Sequence, residues 1–219
     1  MQRRMRARFD QPPGVLQFRP RTRTEPRERL HSALRAAAGA VASLALGLGS
    51  LYLAVRPGTT IGEVSNGPWH SSVVTGSPQA DLYTRARVAV DLLLALRAPE
   101  SIYYTAATDS EGRPLDARCE YRLEGRDIPA RWWSLTSYGA DRFLIPNPAG
   151  RYSVSRSTVV ASPEGLWQAR ISRERQPGNW LPSGEGRFTL TLRLFDPAPV
   201  ATESPRSIAL PRVLREACS

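Results

Sequence analysis

The sequence predicts a mainly β domain, an antiparallel sandwich or jelly-roll-like fold, with one preceding amphipathic helix and a single N-terminal transmembrane helix. Residues 36–55 form a run of twenty residues without a charge. From residue 101 onward, several short segments place apolar residues at every second position, which is typical of half-buried strands. Turns rich in Gly, Pro, Asn and Asp separate these segments, as they do in sandwiches and barrels.

The uncharged run 36–55 spans about 30 Å as a helix, which is the thickness of the hydrocarbon layer. It is longer than the apolar part of a cleaved signal peptide, so we interpret it as an uncleaved signal anchor. Gly39, Ser43 and Gly47 lie on one face of this helix. Small residues at that spacing allow close helix packing in lipid and predict a possible homodimer, although a span rich in Ala and Gly also produces such spacings by chance.

Arginines are distributed unevenly around the span. Residues 1–35 hold ten arginines and three acidic residues, residues 56–219 hold twenty arginines and seventeen acidic residues, and lysine is absent. This asymmetry predicts a disordered cytoplasmic leader, residues 1–35, and an exported C-terminal domain. The leader fits a polybasic patch on anionic lipid or a simple orientation signal. Nucleic acid is not expected as a partner, because no aromatic platform interleaves the arginines.

After the span, residues 56–78 are rich in Pro, Gly, Ser and Thr and predict a linker without a core of its own. Ser77 and Pro78 are typical of a helix start, and Asp81 would lie near its positive end. An apolar stripe follows at three- and four-residue steps, which predicts a helix packed on a core and ending before Pro99. The stripe consists of Leu82, Ala86, Ala89, Val90, Leu93 and Leu96.

The β-rich domain is predicted over residues 79–219. Segment 118–124 places Cys119, Tyr121 and Leu123 on one face, and segment 187–194 alternates apolar residues with Thr and Arg in the same way. Further predicted strands are 101–107, 131–138, 152–160 and 166–173.

Several motifs resemble one bacterial family. They occur in the same order at 103–109 (YYTAATD), 131–136 (RWWSLT), 144–148 (LIPNP), 178–182 (GNWLP) and 188–194 (FTLTLRL). The family is known as domain of unknown function 1214, and in longer exported proteins it often follows another uncharacterised domain, numbered 1254. The resemblance implies a jelly-roll-like β domain after a helix. It implies no reaction and no catalytic residues. In a bacterial chain, the span and the arginine asymmetry predict a location at the inner membrane with the N-terminus in the cytoplasm and the domain in the periplasm.

The residues that carry catalysis and metal binding are scarce. His31 and His70 are the only histidines, and His70 lies in the predicted linker without a nucleophile motif elsewhere. A metal site built from His and Cys is therefore not expected, nor is a cofactor. Asp109, Glu111, Asp116 and Glu120 are better interpreted as an acidic turn than as a calcium loop.

Cys119 and Cys218 are the only cysteines, and both follow the span. In an oxidising periplasm they would form a disulfide bond that ties the C-terminal tail to a strand. The alternative is a buried Cys119 and a free Cys218 in a frayed tail.

Aromatic and polar residues recur along the predicted strands and turns. Adjacent Trp132 and Trp133 must point to opposite faces of a strand, so one can fill the core while the other lines a cleft. A groove of this composition suits a sugar, lipid-derived or aromatic ligand, whereas the alternative is aromatic packing with Asn-shaped turns. The candidate ligand-binding residues are Tyr104, Trp132, Trp133, Asn147, Tyr152, Asn179 and Trp180.

Two functions follow from these patterns. The first is a non-enzymatic, membrane-anchored periplasmic module that binds an envelope ligand or a partner protein. The second is a periplasmic hydrolase that uses a pair of carboxylates near the aromatic groove, drawn from Asp109, Asp116 and Asp141. We favour the first, because no catalytic motif is present.

Overall fold

The computed structural model describes residues 26–54, 64–72, 74–91 and 96–218. The predictions for residues 1–25, for part of the linker and for Leu93 lie outside these ranges. The chain divides into two compact units, residues 1–48 and residues 49–219, and we describe each by itself.

The N-terminal unit contains most of helix α1, Pro26–Ala54. Its segment Arg29–Leu53 has 25 residues and a mean hydropathy of 1.7, so it is long and apolar enough to cross a membrane. The helix begins ten residues before the uncharged run, so residues 26–35 are helical although they belong to the leader predicted to be disordered. Proline is favoured in a first helical turn, and the Arg, Glu, Leu and Ala residues that follow are good helix formers.

In the described residues of the second unit, ten strands form two sheets. The larger, antiparallel sheet has the strand order β1-β2-β3-β9-β5-β6. Its strands are β1 Val64–Asn66, β2 Trp69–Ser71, β3 Ser101–Ala106, β5 Ala130–Gly139, β6 Ser153–Ser155 and β9 Phe188–Pro197. The smaller, mixed sheet has the order β10-β4-β7-β8 and pairs β7 with β8 in parallel. It consists of β4 Cys119–Gly125, β7 Trp167–Ser172, β8 Trp180–Pro182 and β10 Arg212–Cys218.

One hydrophobic cluster contains residues from both sheets, which places the core between them. The alternation predicted for 118–124 and 187–194 is confirmed, because the apolar residues of both segments are buried. Across the core, the Trp133 and Trp167 rings stack with centroids 5.2 Å apart, and Tyr121 meets Phe188 edge-on at 5.6 Å. The domain is therefore mainly β with two sheets, as predicted. The jelly-roll connectivity stays a prediction.

Strands β1 and β2 lie inside the segment predicted as a linker without a core. Trp69 is fully buried, and its indole Nε1 donates a hydrogen bond to the Pro211 carbonyl at 2.7 Å. Asn66 Nδ2 donates to the Ile208 carbonyl at 2.8 Å, and Gly67 turns the hairpin at a φ of 59°. These partners are about 140 residues away in sequence, so local composition does not reveal the strands.

Helix α2, Leu82–Asp91, differs from its predicted role. Leu82 is 81% exposed rather than packed on the core, and Leu96 lies beyond the helix with 43% exposed. Asp81, and not Ser77, caps the helix: Oδ1 accepts the Thr84 N–H at 2.9 Å and Oδ2 accepts the Thr84 hydroxyl at 3.0 Å. The pKa of Asp81 is lowered, and the main cause is the hydrogen bond that it accepts from the Thr84 N–H. A carboxylate at the N-cap satisfies free backbone N–H groups, which determines where this helix begins.

Cys119 on β4 and Cys218 on β10 are joined by a disulfide bond with an S–S distance of 2.02 Å. The predicted pairing is confirmed, and the alternative of a free Cys218 is wrong. The two cysteines lie opposite each other in the sheet register, so the bond fixes the C-terminal strand at the sheet edge. A short helix, α3 Pro199–Glu203, follows β9.

Candidate ligand-binding site

The seven candidate residues do not form one groove, because the fold distributes them over three places. Tyr104 and Trp133 belong to the core, and Trp132 lies on the outer face of the larger sheet. Asn147, Asn179 and Trp180 line pockets at one end of the sandwich. Tyr152 lines neither pocket; it is 40% exposed and follows Arg151, which does.

Tyr104 and Trp133 are structural residues. Tyr104 is fully buried, and its hydroxyl donates to the Pro205 carbonyl at 3.2 Å. Burial raises the pKa of Tyr104 to about 12. Trp133 is 1% exposed and stacks on Trp167. Neither side chain can reach a ligand, so the packing alternative holds for these two positions.

At the loop end, two asparagines determine the shape of the loops. Asn179 Nδ2 donates to the carbonyls of Val160 and Gln168, and Oδ1 accepts the Val160 N–H, each at 2.8 Å. Asn147 Nδ2 donates to the Arg151 carbonyl at 2.9 Å, and Oδ1 accepts the Arg151 N–H at 3.0 Å. Both amides are engaged by backbone groups, so they position neighbouring side chains instead of presenting free donors.

Two open depressions meet at this end of the domain, and Arg175 and Trp180 line both. We call the first the arginine pocket; it has a volume of about 430 Å³ and is lined by Arg151, Thr158, Val160, Arg175, Gln176, Pro177, Gly178, Asn179 and Trp180. The second, the proline pocket, measures about 580 Å³ and is lined by Ile145, Pro146, Asn147, Pro148, Ala149, Arg173, Glu174, Arg175, Trp180, Pro182, Gly184 and Glu185.

The tryptophan between the pockets is fixed by hydrogen bonds. Trp180 is 2% exposed, and its Nε1 donates to Ser172 Oγ at 3.0 Å. The Ser172 hydroxyl donates in turn to the Glu174 carbonyl at 2.6 Å, which holds the turn after β7. Trp180 therefore forms part of the floor of both pockets, while the turn places Arg173 and Arg175 at their rims.

The arginine pocket is electropositive. Its lining holds two arginines and no acidic residue, and Arg151 Nη1 bridges to the Gly178 carbonyl at 2.9 Å. Among the described residues, no carboxylate lies within ion-pair distance of Arg175. Arginine forks bind carboxylate and phosphate groups through paired hydrogen bonds. The pocket therefore fits a small anion with an apolar or planar part.

The carboxylates proposed for a hydrolase have other partners. Asp109 is 1% exposed and forms ion pairs with Arg113 Nε at 2.8 Å and Arg215 Nε at 3.1 Å. Burial alone would raise its pKa, but bonds from the Arg113 and Glu111 N–H groups and from the Arg113 guanidinium lower it. Arg118 lowers the pKa of Asp116 to about 2 through side-chain hydrogen bonds. Asp141 accepts the Phe143 N–H at 3.0 Å, as turn residues do.

The arginines at the loop end were not predicted. Arg173 and Arg175 occur in the polar stretch RERQPG between two strands, which signals only a turn.

His70, the one histidine near the domain, is exposed on β2, and its Nδ1 lies 3.2 Å from Ser65 Oγ. Within the ranges that the structure describes, no three His, Cys, Asp or Glu side chains come together as a metal site.

The geometry thus defines a class of protein: a two-sheet β domain with a loop-end pocket, in a chain with an apolar N-terminal helix. Residues 100–199 match the family described as protein of unknown function DUF1214. This match confirms the resemblance to that family over 100–199, the region of the chain that holds β3 to β9. No curated protein sequence matches the chain.

Solved structures also resemble this domain. The VPA0106 protein from Vibrio parahaemolyticus aligns with a TM-score of 0.54 and 23% identity, covering 64% of this chain and 36% of that one. An uncharacterised protein from Burkholderia cenocepacia aligns with a TM-score of 0.39 and 16% identity, covering 66% of this chain and 45% of the other. This chain thus spans less than half the length of either. The first likeness shows a shared fold and nothing about activity.

Proposed function

We propose that this protein is a membrane-anchored, periplasmic binding module of the bacterial inner membrane whose arginine pocket holds a small phosphate-bearing ligand of the envelope. The observation that carries this proposal is the pocket itself, in which Arg151 and Arg175 face a cavity of about 430 Å³ with no acidic residue in its lining. Two guanidinium groups can bind one phosphate through several charge-assisted hydrogen bonds. The floor at Trp180 supplies apolar contact.

The periplasmic location is supported by three features. Helix α1 is long and apolar enough to act as a signal anchor. The arginine surplus before the span opposes translocation of the N-terminus. The disulfide bond between Cys119 and Cys218 is typical of an oxidising compartment.

Protease digestion of spheroplasts, with thiol labelling of the same sample, tests the orientation. Cleavage from outside with no labelled cysteine is expected, and protection of the domain with free thiols would reverse the topology.

The ligand is tested with the full chain in detergent, using glycerol 3-phosphate as the soluble probe and glycerol as its neutral match. At a probe concentration of 100 times Kd, the folded domain gains about 2.7 kcal/mol, which raises Tm by roughly 5–10 °C. Arg175→Ala should abolish this shift. Arg206→Ala removes an exposed arginine that lies outside both pockets, so this variant should still show the Tm shift.

An equal loss in both variants would indicate a general effect of charge, and an unshifted Tm in the unmodified chain would refute the phosphate site. The probe can represent a free metabolite or a lipid headgroup. Vesicles with and without phosphatidylglycerol distinguish these sources. If the pocket binds a lipid headgroup, vesicles that contain phosphatidylglycerol should compete with the soluble probe; if it binds a free metabolite, they should not.

The homodimer is a separate proposal that concerns α1. An added Cβ at Gly39 or Gly47 would meet no atom within 4 Å in a single chain. Replacing both glycines by leucine should therefore leave the helix intact while preventing close approach of two helices. Crosslinking in membranes should give dimers for the unmodified chain and monomers for the double variant. Dimers in both would show that these residues do not form the contact.

A further inference from the structure

The outer faces of the two sheets differ in charge. On the smaller sheet, two cations are neutralised, because Arg122 and Arg170 both pair with Glu216, at 2.8 and 3.4 Å. On the larger sheet, the outward residues of β5 and β9 are mostly hydroxyl-bearing or aromatic, with Arg193 as the charged residue among them. We call the group of Trp132, Ser134, Thr136, Thr191, Arg193 and Phe195 the polar face. None of them lines either loop-end pocket.

Strand register places these residues side by side. Trp132 lies opposite Phe195, Ser134 opposite Arg193, and Thr136 opposite Thr191. Residues two apart along a strand share a face and lie about 7 Å apart. Arg193 is thus flanked by an aromatic pair on one side and by two threonines on the other.

Arg193 carries an uncompensated charge. Its Nη2 donates to the Tyr138 hydroxyl at 2.5 Å, its Nη1 lies 3.5 Å from Thr136 Oγ1, and its guanidinium is 5.3 Å from the centre of the Tyr138 ring. No carboxylate among the described residues pairs with it. The tyrosine holds the guanidinium in place without neutralising it, so the remaining N–H donors can receive an anionic group.

The neighbours of Arg193 specify what kind of anion fits. Trp132 is 36% exposed and packs against Phe195 with ring centroids 5.4 Å apart, and its Nε1 donates to Ser157 Oγ at 2.9 Å. The indole is thereby held at the surface as a flat apolar platform. Ser134, Thr136 and Thr191 lie beneath these larger side chains and are buried, with exposures of 7%, 6% and 5%.

We propose that the polar face binds an acidic polysaccharide, with a sugar ring stacked on Trp132 and the carboxylate of a uronic acid unit on Arg193. Sugar rings have apolar C–H faces, which suit an aromatic platform. A carboxylate forms paired hydrogen bonds with a guanidinium. Trp132 and Arg193 are diagonal neighbours on paired strands, with Cα atoms about 7–8 Å apart, and the guanidinium itself lies over the Tyr138 ring.

The test uses the full chain in detergent and measures binding to polygalacturonate, with its fully methyl-esterified form as the neutral match. The chain should bind the acid and not the ester. Arg193→Met should weaken binding by about 10- to 100-fold, and Trp132→Ala by about tenfold. Arg193→Lys keeps the charge but loses the planar fork, so its affinity should lie between those of the unmodified chain and Arg193→Met.

Two controls establish whether the polysaccharide binds at the polar face. Arg175→Ala removes a cation of the arginine pocket and should bind the polysaccharide normally, and near-UV circular dichroism confirms that each variant folds. Equal binding of the ester would refute a role for the carboxylate. Equal binding of poly-glutamate would show that the face takes acidic peptides and would overturn the sugar assignment, as would unchanged binding in both Arg193→Met and Trp132→Ala.

Discussion

Gly125 ends strand β4 where the ring of Trp167 crosses its backbone. A Cβ added at Gly125 would lie 2.3 Å from Cζ2, 2.5 Å from Cε2 and 2.8 Å from Cη2 of that ring. Carbon atoms in contact prefer about 3.5–4.0 Å, so Gly125→Ala forces a displacement of about 1 Å or more. The ring has little freedom, because it is 3% exposed and stacks on Trp133.

The cost of this substitution has two sources. Overpacking of a filled core costs about 1–3 kcal/mol. A displaced Trp167 also weakens the hydrogen bond from its Nε1 to the Arg126 carbonyl, now 2.8 Å, for about 0.5–1.5 kcal/mol. We expect Gly125→Ala to reduce the free energy of unfolding by about 2–4 kcal/mol, which lowers Tm by roughly 5–15 °C.

Thermal unfolding followed by tryptophan fluorescence measures this loss. A double-mutant cycle with Trp167→Phe identifies its cause, since a smaller ring makes room for the methyl group. The double variant should therefore lose less stability than the two single variants together, by about 1 kcal/mol or more. Additive losses, or a loss below about 0.5 kcal/mol in Gly125→Ala, would refute the steric argument.

Three further predictions concern the disulfide and two kinds of titrating group. The Cys119–Cys218 bond closes a loop with a sequence separation of 99 residues. Replacing both cysteines by serine should therefore lower the free energy of unfolding, measured in urea, by up to about 4.7 kcal/mol. An unchanged free energy of unfolding would mean that the bond does not restrict the unfolded chain. The folded-state pKa values of Asp109 and Asp116 lie below the unfolded value of 3.8, and that of Asp116 is about 2. The two ionised carboxylates therefore stabilise the fold fully above pH 3.8, and this stabilisation is lost as the pH falls through the folded-state values. Unfolding midpoints between pH 6 and pH 2 should show this loss, with a smaller slope in Asp109→Asn; equal slopes would contradict it. Folding raises the pKa of Tyr104 from 10 to about 12, so the stabilisation from the neutral Tyr104 phenol should be lost as the pH rises between these values. Phenolate absorbance should rise together with unfolding in the unmodified chain, and this coupled rise should be absent in Tyr104→Phe.

Alternation identified the central strands of the domain from sequence, but not its edges. Segments 118–124 and 187–194 have one apolar face each, and that pattern survives in the structure. By contrast, β6 covers only Ser153–Ser155 of the predicted 152–160, and β8 is a three-residue strand where none was predicted. Short edge strands have too few residues to establish a period, and their pairing depends on neighbours that are distant in sequence.

The candidate site illustrates the same limit. The sequence identified aromatic and amide residues of the right kinds, and Asn147, Asn179 and Trp180 do meet at the loop end. It did not separate them from the core residues Tyr104 and Trp133, because a buried and an exposed aromatic residue look alike in one sequence. Among the described residues, no carboxylate lies within ion-pair distance of Arg175 or Arg193, and that is a property of the folded structure that the sequence does not reveal.

The sequence by itself determined the apolar helix, the β character of the domain and the faces of its long strands, and it predicted the pairing of its two cysteines as one of two alternatives. Each of these depends on local periodicity or on a count of residues. Only the tertiary structure decided that Trp69 lies in a strand and is fully buried, that Trp132 lies on the surface of the sheet and that Arg175 borders a pocket. Those features arise from contacts between residues far apart in the chain, because burial and charge pairing depend on which surfaces the folded strands bring together.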